Sequence, residues 1–256
     1  MKSVIELKEG KLIVVTDIHG NLNDFQRYIE IWRKYENKNT VSIVFTGDLI
    51  HAMTEMENDK SIEILELSMS LIKNDGFIIL LGNHEWSHIA DISVYKGFRN
   101  QSKEFIENLK MKFQEKWSDK FEGYIKFFHD LPIALKTGNG VFISHAGPPI
   151  GINSLKDIEN SIDKGYSEFN SILYGLLWNR PYRDYSEYDV EIFLDKIKCN
   201  AMIVGHTPVD GIEIFGDKQL ILSSSFSIGK KAYIILDLEK KIGNANDLLK
   251  FVRYLN

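Results

Sequence analysis

Five short runs of apolar, largely β-branched residues are each followed at once by polar side chains. The runs lie at residues 11–16, 41–46, 77–81, 141–144 and 201–204. Continuous apolar runs of this length are typical of strands that are buried on both faces. They therefore predict the centre of a β-sheet, with the polar residues gathered where the strands end.

The segments between and after these runs predict helices and further strands. Apolar residues recur at helical spacing behind Asn21 or Asn23 as a cap, and again over residues 62–72, so the chain begins β-α-β-α-β. Three more helices are expected, at residues 100–117, 186–197 and 244–255. Strands at residues 212–215, 219–223 and 232–236 are separated by turn residues, which predicts an antiparallel meander.

The composition fits one globular unit. With 256 residues, 44% of them apolar, the chain can fill a substantial core. Its net charge of −5 excludes the basic field that general nucleic-acid binding needs. No apolar run is long enough to cross a membrane, and the first ten residues hold no signal core. The single cysteine, Cys199, suits a reducing compartment. We expect a single domain over residues 1–256, in the cytoplasm, with no membrane partner.

The polar residues behind the five runs are of the kinds that bind metals. They are Asp17 and His19, Asp48, Asn83 and His84, His145, and His206. The carboxyl ends of strands in open α/β sheets are where ligands gather, so these side chains are expected to meet although they span most of the chain.

Two Asp, one Asn and three His exceed the needs of one ion, so the inventory predicts two divalent ions. Mixed oxygen and imidazole donors favour manganese, with iron or zinc as alternatives. A carboxylate can bridge such a pair, and water held there becomes a nucleophile near neutral pH. Phosphoryl transfer is the reaction that this kind of centre serves best.

The ordered motifs TDIHG, GDLIHAM, LLGNHEW, FFHDLPIALKTGNGVFISHAGPP, YGLLWNRP and IVGHTP resemble those of the PPP-type serine/threonine phosphatases, bacterial or archaeal type, within the calcineurin-like metallophosphoesterases. The resemblance covers roughly residues 12–225. It implies an α/β fold of two stacked mixed β-sheets flanked by helices. Separately, the spacing of Phe98, Phe105, Leu109 and Phe113 as one apolar face predicts a helical cap insertion over residues 86–127.

The resemblance also implies roles for the strand-end residues. One metal would be held by Asp17, His19 and a bridging Asp48. The other would be held by Asp48 and by three further residues, Asn83, His145 and His206. Hydroxide that bridges the metals would attack phosphorus directly, without a phosphoenzyme.

A seventh strand-end side chain, His84, is left without a metal by the resemblance. It would donate a proton to the leaving alkoxide, a task suited to the near-neutral intrinsic pKa of imidazole. Glu85 would support the loop that carries it. His88, four residues further along, is expected to be an exposed helix residue.

The chain departs from the family pattern at two positions where the family has an arginine that binds phosphate, which we call phosphate clamps. Where the family has Asp-Arg-Gly in its second motif, this chain has His51, Ala52 and Met53, and Leu81 stands where an arginine is common. His51 is open to three readings: a hydrogen bond to His84 in place of the Asp, a substrate contact, or exposure to solvent.

Arginine side chains elsewhere are candidates to replace the missing clamps. Arg180 is the preferred phosphate ligand because it matches the Arg of a bacterial Leu-Trp-x-Arg motif, and Arg183 and Arg99 are possible substitutes. The aromatic residues around them, between residues 166 and 188, either pack a cap over the sheet, or stack a nucleobase or shape a substrate groove.

The expected function is hydrolysis of a phosphomonoester, from a phosphorylated small molecule or a phosphoprotein. A diadenosine polyphosphate hydrolase or a phosphodiesterase is the first alternative, since fewer arginines face a dianion. A weakly active metal-binding scaffold is the second, although retention of His84 argues against it.

Overall fold

The structure, a computed structural model, describes residues 2–35, 41–53 and 58–255. The strands are β1 (Val4–Leu7), β2 (Lys11–Val15), β3 (Val41–Phe45), β4 (Phe77–Ile79), β5 (Tyr95–Lys96), β6 (Arg99–Asn100), β7 (Ala134–Thr137), β8 (Val141–Ser144), β9 (Ala201–Val204), β10 (Ile212–Phe215), β11 (Gln219–Leu222), β12 (Ala232–Asp237) and β13 (Val252–Tyr254). The α-helices are α1 (Leu22–Arg33), α2 (Ser61–Leu71), α3 (Asn83–Ile89), α4 (Gln101–Phe113), α5 (Trp117–His129), α6 (Leu155–Glu159), α7 (Ser171–Trp178) and α8 (Glu187–Ile197). Short 3₁₀ segments lie at Gln114–Lys116, Ile162–Lys164 and Ala245–Phe251.

Two mixed sheets carry the fold. One has the order β1-β7-β8-β9-β11-β10, and the other has the order β13-β12-β2-β3-β4. Strands β2, β3 and β4 are parallel to one another, as are β8, β9 and β11, so each sheet presents several carboxyl ends at one edge. The predicted α/β class with two mixed sheets is confirmed. The expectation that all five apolar runs form one sheet is wrong, because an apolar run reports burial on both faces and not its strand partners.

The core explains why those runs are continuous. Alternate residues of both sheets, such as Leu12, Val14 and Ile203, form one buried apolar cluster between the sheets. The residues between them, such as Ile13, join a second cluster with helix residues, among them Trp32 of α1. Each central strand therefore needs an apolar side chain at every position.

The helix predictions are largely confirmed. Asn21 caps α1 by accepting from the backbone of Asp24, and Ser186 begins α8 with the expected capping box to Asp189. The helix expected over residues 100–117 begins one residue later and breaks at Gln114, whose φ of +48° lies in the left-handed region.

The apolar face expected on the insertion is partly wrong. Phe105 and Leu109 are buried as predicted, and Phe113 packs against the core. Phe98 lies between β5 and β6, outside any helix, and its side chain is fully exposed. A two-residue strand pair around Gly97 replaces the helical turn that the spacing suggested.

Two predictions near the C-terminus are corrected. Of the three strands expected in the meander, β10 and β11 form an antiparallel pair, while β12 crosses to the other sheet and runs antiparallel to β2. The expected terminal helix is a 3₁₀ segment followed by β13, which pairs with β12. Strand partners at this distance in sequence are set by the packing of the two sheets, which local patterns do not record. Among the described helices, none combines the length and the apolar composition needed to cross a bilayer.

Candidate metal centre and active site

The site is built from loops that leave five strands at their carboxyl ends. Asp17 and His19 follow β2, Asp48 follows β3, and His145 and His206 follow β8 and β9. Asn83 and His84 open α3, just beyond β4. The sheets thus bring together all the strand-end residues that the sequence singled out, and every one of these side chains is buried.

Unusual backbone geometry directs these side chains towards the centre of the site. His19, Asp48 and His206 have φ values of +46°, +52° and +62°, in the left-handed region that non-glycine residues seldom adopt. Gly82 lies so close to the Asp48 loop that a Cβ there would stand 2.2 Å from the Asp48 backbone nitrogen. The loops therefore pack backbone against backbone, and a side chain at Gly82 would force them apart.

Asp48 lies at the centre of the cluster. Its Oδ2 is 3.6 Å from His19 Nε2, 3.8 Å from His84 Nε2 and 3.4 Å from His145 Nε2. Two groups of donor atoms have all members within 4.8 Å of one another, one formed by His19, Asp48 and His84 and the other by Asp48, His145 and His206. Asp48 belongs to both groups, so two ions held by these groups would share its carboxylate.

Asp17 and Asn83 complete the cluster. Asp17 accepts hydrogen bonds from the His206 backbone nitrogen at 3.1 and 2.9 Å, and its Oδ1 is 3.9 Å from His19 Nε2. Asn83 Oδ1 is 2.8 Å from His145 Nε2. Both residues therefore lie beside the donor groups, with Asp17 also fixing the His206 loop.

Backbone carbonyls orient two of the imidazoles. His19 Nδ1 is 3.2 Å from Ile50 O, and His145 Nδ1 is 3.1 Å from Thr46 O. A carbonyl only accepts, so Nδ1 carries the proton in both rings and Nε2 has a free lone pair. Both Nε2 atoms are the ones that face Asp48, which is the arrangement that metal binding requires.

Glu85 holds the Asp48 loop. Its carboxylate accepts from the backbone nitrogens of Asp48 at 2.9 Å, Leu49 at 2.8 Å and Ile50 at 3.3 Å. These bonds satisfy donors that the left-handed turn would otherwise leave buried and unpaired.

Burial sets the electrostatics of the cluster. It raises the pKa of the Asp17 carboxyl to about 6 and, with the neighbouring Glu85 carboxylate, holds the pKa of Asp48 well above its usual range. Burial lowers the pKa of His19 and of His145 to about 3. The imidazoles are therefore neutral, as metal binding would need, and the charge of the closely spaced carboxylates is not compensated by any of these rings.

His206 turns its Nδ1 towards the cluster, where this nitrogen lies 3.1 Å from His145 Nε2. Two ring nitrogens at this distance need a proton or a cation between them, because each otherwise presents a lone pair to the other. The set of carboxylates, amide oxygen and imidazoles is one that manganese, iron and zinc accept. The residues present therefore fit a centre of two divalent ions.

His51 and His88 form a chain of contacts with His84. His51 Nδ1 is 2.8 Å from His84 Nδ1, and His51 Nε2 is 2.9 Å from His88 Nε2. His51 is buried, so of the three readings left open the hydrogen bond to His84 matches the geometry and exposure to solvent does not. The expectation that His88 is an exposed helix residue is wrong, because α4 and α5 pack Phe105 and Phe121 against its ring.

The arginine candidates differ in position. Arg180 is half-buried and donates to the His206 carbonyl oxygen at 2.7 Å, so it lies at the centre. Arg183 is exposed and pairs with its neighbour Asp184, and Arg99 pairs with Glu104. Ala52, where the family pattern has an arginine, is buried under Gln101, whose amide donates to its carbonyl oxygen at 3.0 Å.

The aromatic stretch divides between packing and the site. Trp178 lies edge-to-face with His206, with ring centroids 5.9 Å apart, and stacks on Tyr174 at 6.1 Å. Tyr185 is buried in the core, whereas Phe169 and Tyr182 are exposed. Only the part of the stretch that α7 carries borders the centre.

Sequence reasoning missed a cavity on the His19 side of the centre. Its volume is about 570 Å³, and it is lined by residues that include His19, Asn23, Gln26, Met53 and Phe226. Phe226 lies edge-to-face with His19 at 5.1 Å. No local pattern marks Phe226, because its place depends on how the β11–β12 connection crosses between the sheets.

Known proteins resemble this chain in sequence and in fold. A catalytic subunit of serine/threonine-protein phosphatase 2B from Saccharomyces cerevisiae is 28% identical over 198 residues, which cover 76% of this chain and 29% of that protein. A serine/threonine-protein phosphatase from Caenorhabditis elegans is 22% identical over 236 residues, covering 86% of this chain and 48% of its own length. The chain thus spans less than half the length of these curated relatives.

Solved structures support the same fold. A serine/threonine phosphatase from Saccharomyces cerevisiae superimposes with a TM-score of 0.70 at 19% identity, over 99% of this chain and 83% of that one. A cold-active protein-tyrosine phosphatase from a psychrophilic Shewanella gives 0.64 at 15% identity, over 93% and 78%. The sequence model of the calcineurin-like phosphoesterases matches residues 10–210, and on that match the chain belongs to the calcineurin-like phosphoesterase family.

Proposed function

We propose that this protein hydrolyses phosphomonoesters with the help of two divalent metal ions. Manganese is the metal we favour, with iron or zinc as alternatives. The observation that carries the proposal is the convergence of two donor groups on the shared Asp48 carboxylate, one of which includes the His84 imidazole. When bound, the ions supply charge neutralisation for the phosphoryl oxygens and a hydroxide nucleophile near neutral pH. A proton must then reach the leaving oxygen, and we assign this step to His84, whose Nε2 lies 3.8 Å from Asp48 Oδ2.

The roles of the other residues follow from their contacts. Asp17, His19, Asn83, His145 and His206 would hold the ions with Asp48. Arg180 would contact the phosphate, since its guanidinium is fixed beside the centre by the His206 carbonyl oxygen. Arg183 is a weaker candidate because Asp184 already pairs with it.

The cavity on the His19 side supports a substrate larger than free phosphate. Asn23 and Gln26 provide amide hydrogen-bonding groups, while Phe226 and Met53 provide apolar surface. A peptide segment that carries phosphoserine or phosphothreonine has both kinds of surface, and so do small organic phosphates. The named phosphatase relatives favour a phosphoprotein as the substrate.

Nitrophenyl phosphate hydrolysis by the purified protein, loaded in turn with manganese, iron and zinc, tests the proposal. We expect turnover that depends on metal and two ions per chain by elemental analysis. Binding of two ions without hydrolysis of any phosphate ester in a broad panel would favour the scaffold alternative instead.

Replacing Arg180 by glutamine should weaken phosphate binding. Loss of a hydrogen bond to a charged group costs about 2 kcal/mol, or roughly 30-fold in KM and in the inhibition constant of inorganic phosphate. Steady-state kinetics measure both constants. The matched control is Arg183→Gln, for which we expect a change of less than about twofold because that arginine is exposed and paired. Equal effects at both positions would contradict the assignment.

Comparison of mono- and bis-nitrophenyl phosphate tests the diesterase alternative. That alternative is favoured by Ala52 and Leu81, which are buried and offer no side-chain donor to a dianion. We nevertheless expect the monoester to react faster, because Arg180 and two ions face its extra charge. Faster turnover of the diester, or of a dinucleotide polyphosphate, would contradict the monoesterase proposal and favour hydrolysis of that substrate class instead.

A cytoplasmic location is part of the proposal. Cys199 is buried and free, which suits a reducing compartment. Fractionation of cells that express the protein tests this placement.

A further inference from the structure

Three imidazoles form a hydrogen-bonded chain that leads away from the centre. The chain runs from His84 through His51 to His88, with nitrogen–nitrogen distances of 2.8 and 2.9 Å. At such a distance one nitrogen must carry a hydrogen and the other must not. His84 and His51 are buried, while His88 is only partly buried, so the chain reaches from the interior towards the surface.

The contacts allow only two arrangements of the protons. A neutral imidazole carries one N–H, so His51 donates across one of its two contacts and accepts across the other. In the first arrangement His88 donates from Nε2 to His51 Nε2, and His51 donates from Nδ1 to His84 Nδ1. His84 must then carry its own proton on Nε2, the atom that lies 3.8 Å from Asp48 Oδ2. In the second arrangement every N–H is reversed and His84 Nε2 is bare.

We propose that His84, His51 and His88 act as a proton relay that passes a proton inward from solvent while His84 protonates the leaving oxygen. The inference rests on the phosphomonoesterase activity proposed above. The imidazoles of His51 and His88 reach the centre through the ring of His84, so they act through His84.

The relay conserves atoms and charge. The His84 Nε2–H bond breaks as the O–H bond of the alcohol product forms. His51 passes its Nδ1 proton to His84, His88 passes its Nε2 proton to His51, and a solvent water passes one to His88 Nδ1. The three imidazoles return to their first arrangement when His84 Nε2 takes a proton from the water that supplies the next hydroxide. His84 Nδ1 then returns a proton to His51 Nδ1, His51 Nε2 returns one to His88 Nε2, and His88 Nδ1 returns one to the hydroxide left in the solvent. No imidazole changes its charge at any stage.

The substitution His88→Gln separates a relay from simple positioning. The glutamine amide can still donate to His51 Nε2 and so keep the first arrangement, but it has no second nitrogen that accepts a proton from water. We expect kcat for phenyl phosphate, whose leaving group needs a proton, to fall on the order of 10- to 100-fold. The fall should be smaller for nitrophenyl phosphate, a better leaving group, and KM should change little.

The matched control is a histidine that lies outside the site, His129. His129 ends α5, is exposed and lies outside the chain of contacts, so His129→Gln should keep wild-type kcat. The thermal midpoints of both variants show whether the fold is intact. If His88→Gln keeps wild-type kcat on phenyl phosphate while His88→Ala loses it, His88 only positions His51 and the relay is overturned.

Two further measurements do not depend on a single rate. In mixtures of light and heavy water, kcat of the wild type should vary in a curve, because several protons move together, and that of His88→Gln should vary linearly. Nitrogen NMR of the zinc-loaded protein should show coupling across the hydrogen bond between His51 Nδ1 and His84 Nδ1. Absence of that coupling overturns the relay in an otherwise active enzyme, whereas a wild type without any phosphatase activity overturns the proposed function itself.

Discussion

Asp48→Asn should reduce kcat by on the order of 1,000-fold or more, because both donor groups share the Asp48 carboxylate and removal of one catalytic charge in such centres costs several kcal/mol. Asparagine has the same shape and tolerates the left-handed backbone that residue 48 adopts, so the change removes charge with little strain. Elemental analysis should show fewer than two ions per chain, and nitrophenyl phosphate hydrolysis should be lost.

The unfolding temperature of the metal-free protein is an independent test of the role of Asp48, and here the substitution should be favourable. Asp48 is a buried carboxylate near Glu85 and Asp17, so without ions its charge is a cost to folding. We expect metal-free Asp48→Asn to unfold at a higher temperature than the metal-free wild type, and to gain less stability when metal is added. Asp91→Asn is the matched control, since Asp91 also has a left-handed φ, +54°, but is exposed. Two bound ions and full activity in Asp48→Asn would contradict a bridging role.

His84→Asn should lower kcat by on the order of 100- to 10,000-fold, the usual contribution of a general acid, while the ions stay bound. The loss should be greatest for substrates with poor leaving groups, because these depend most on a proton. Turnover of phenyl and nitrophenyl phosphate, measured together with metal content, checks the expectation.

The metal content also decides between two roles for His84. Its Nε2 lies close enough to His19 and Asp48 to form a donor group with them, in which case His84 would be a ligand. Loss of an ion together with activity would support that role and refute the acid role. A retained pair of ions with lost turnover would support the acid, and His129→Asn, an exposed site, should leave both quantities at the wild-type level.

The sequence was informative where burial and chemistry coincide. The apolar runs predicted the central strands to within two residues, because strands covered on both faces leave no position for a polar side chain. The polar residues behind them were correctly expected to meet, since strand ends converge whatever the distance between them in sequence. The caps at Asn21 and Ser186 were predictable because capping is a local interaction.

Features set by tertiary packing were not predictable in the same way. The crossing of β12 to the other sheet leaves no local signal, and neither does the exposure of Phe98 on a hairpin. His51 and His88 were each ambiguous alone, and only the packing of α4 and α5 over α3 shows that they contact one another. Their assigned roles, like those of the metal ligands, remain predictions for the experiments above.

The donors come from loops of both sheets: His19 and Asp48 follow strands of one sheet, and His145 and His206 follow strands of the other. Two metal ions bound between these loops would link the two sheets to each other as well as take part in catalysis. Metal affinity would then depend on how closely the two sheets pack against each other. A substitution deep between the sheets, at Leu12 or Ile203, would thus weaken metal binding although neither residue lies in a loop that carries a metal donor.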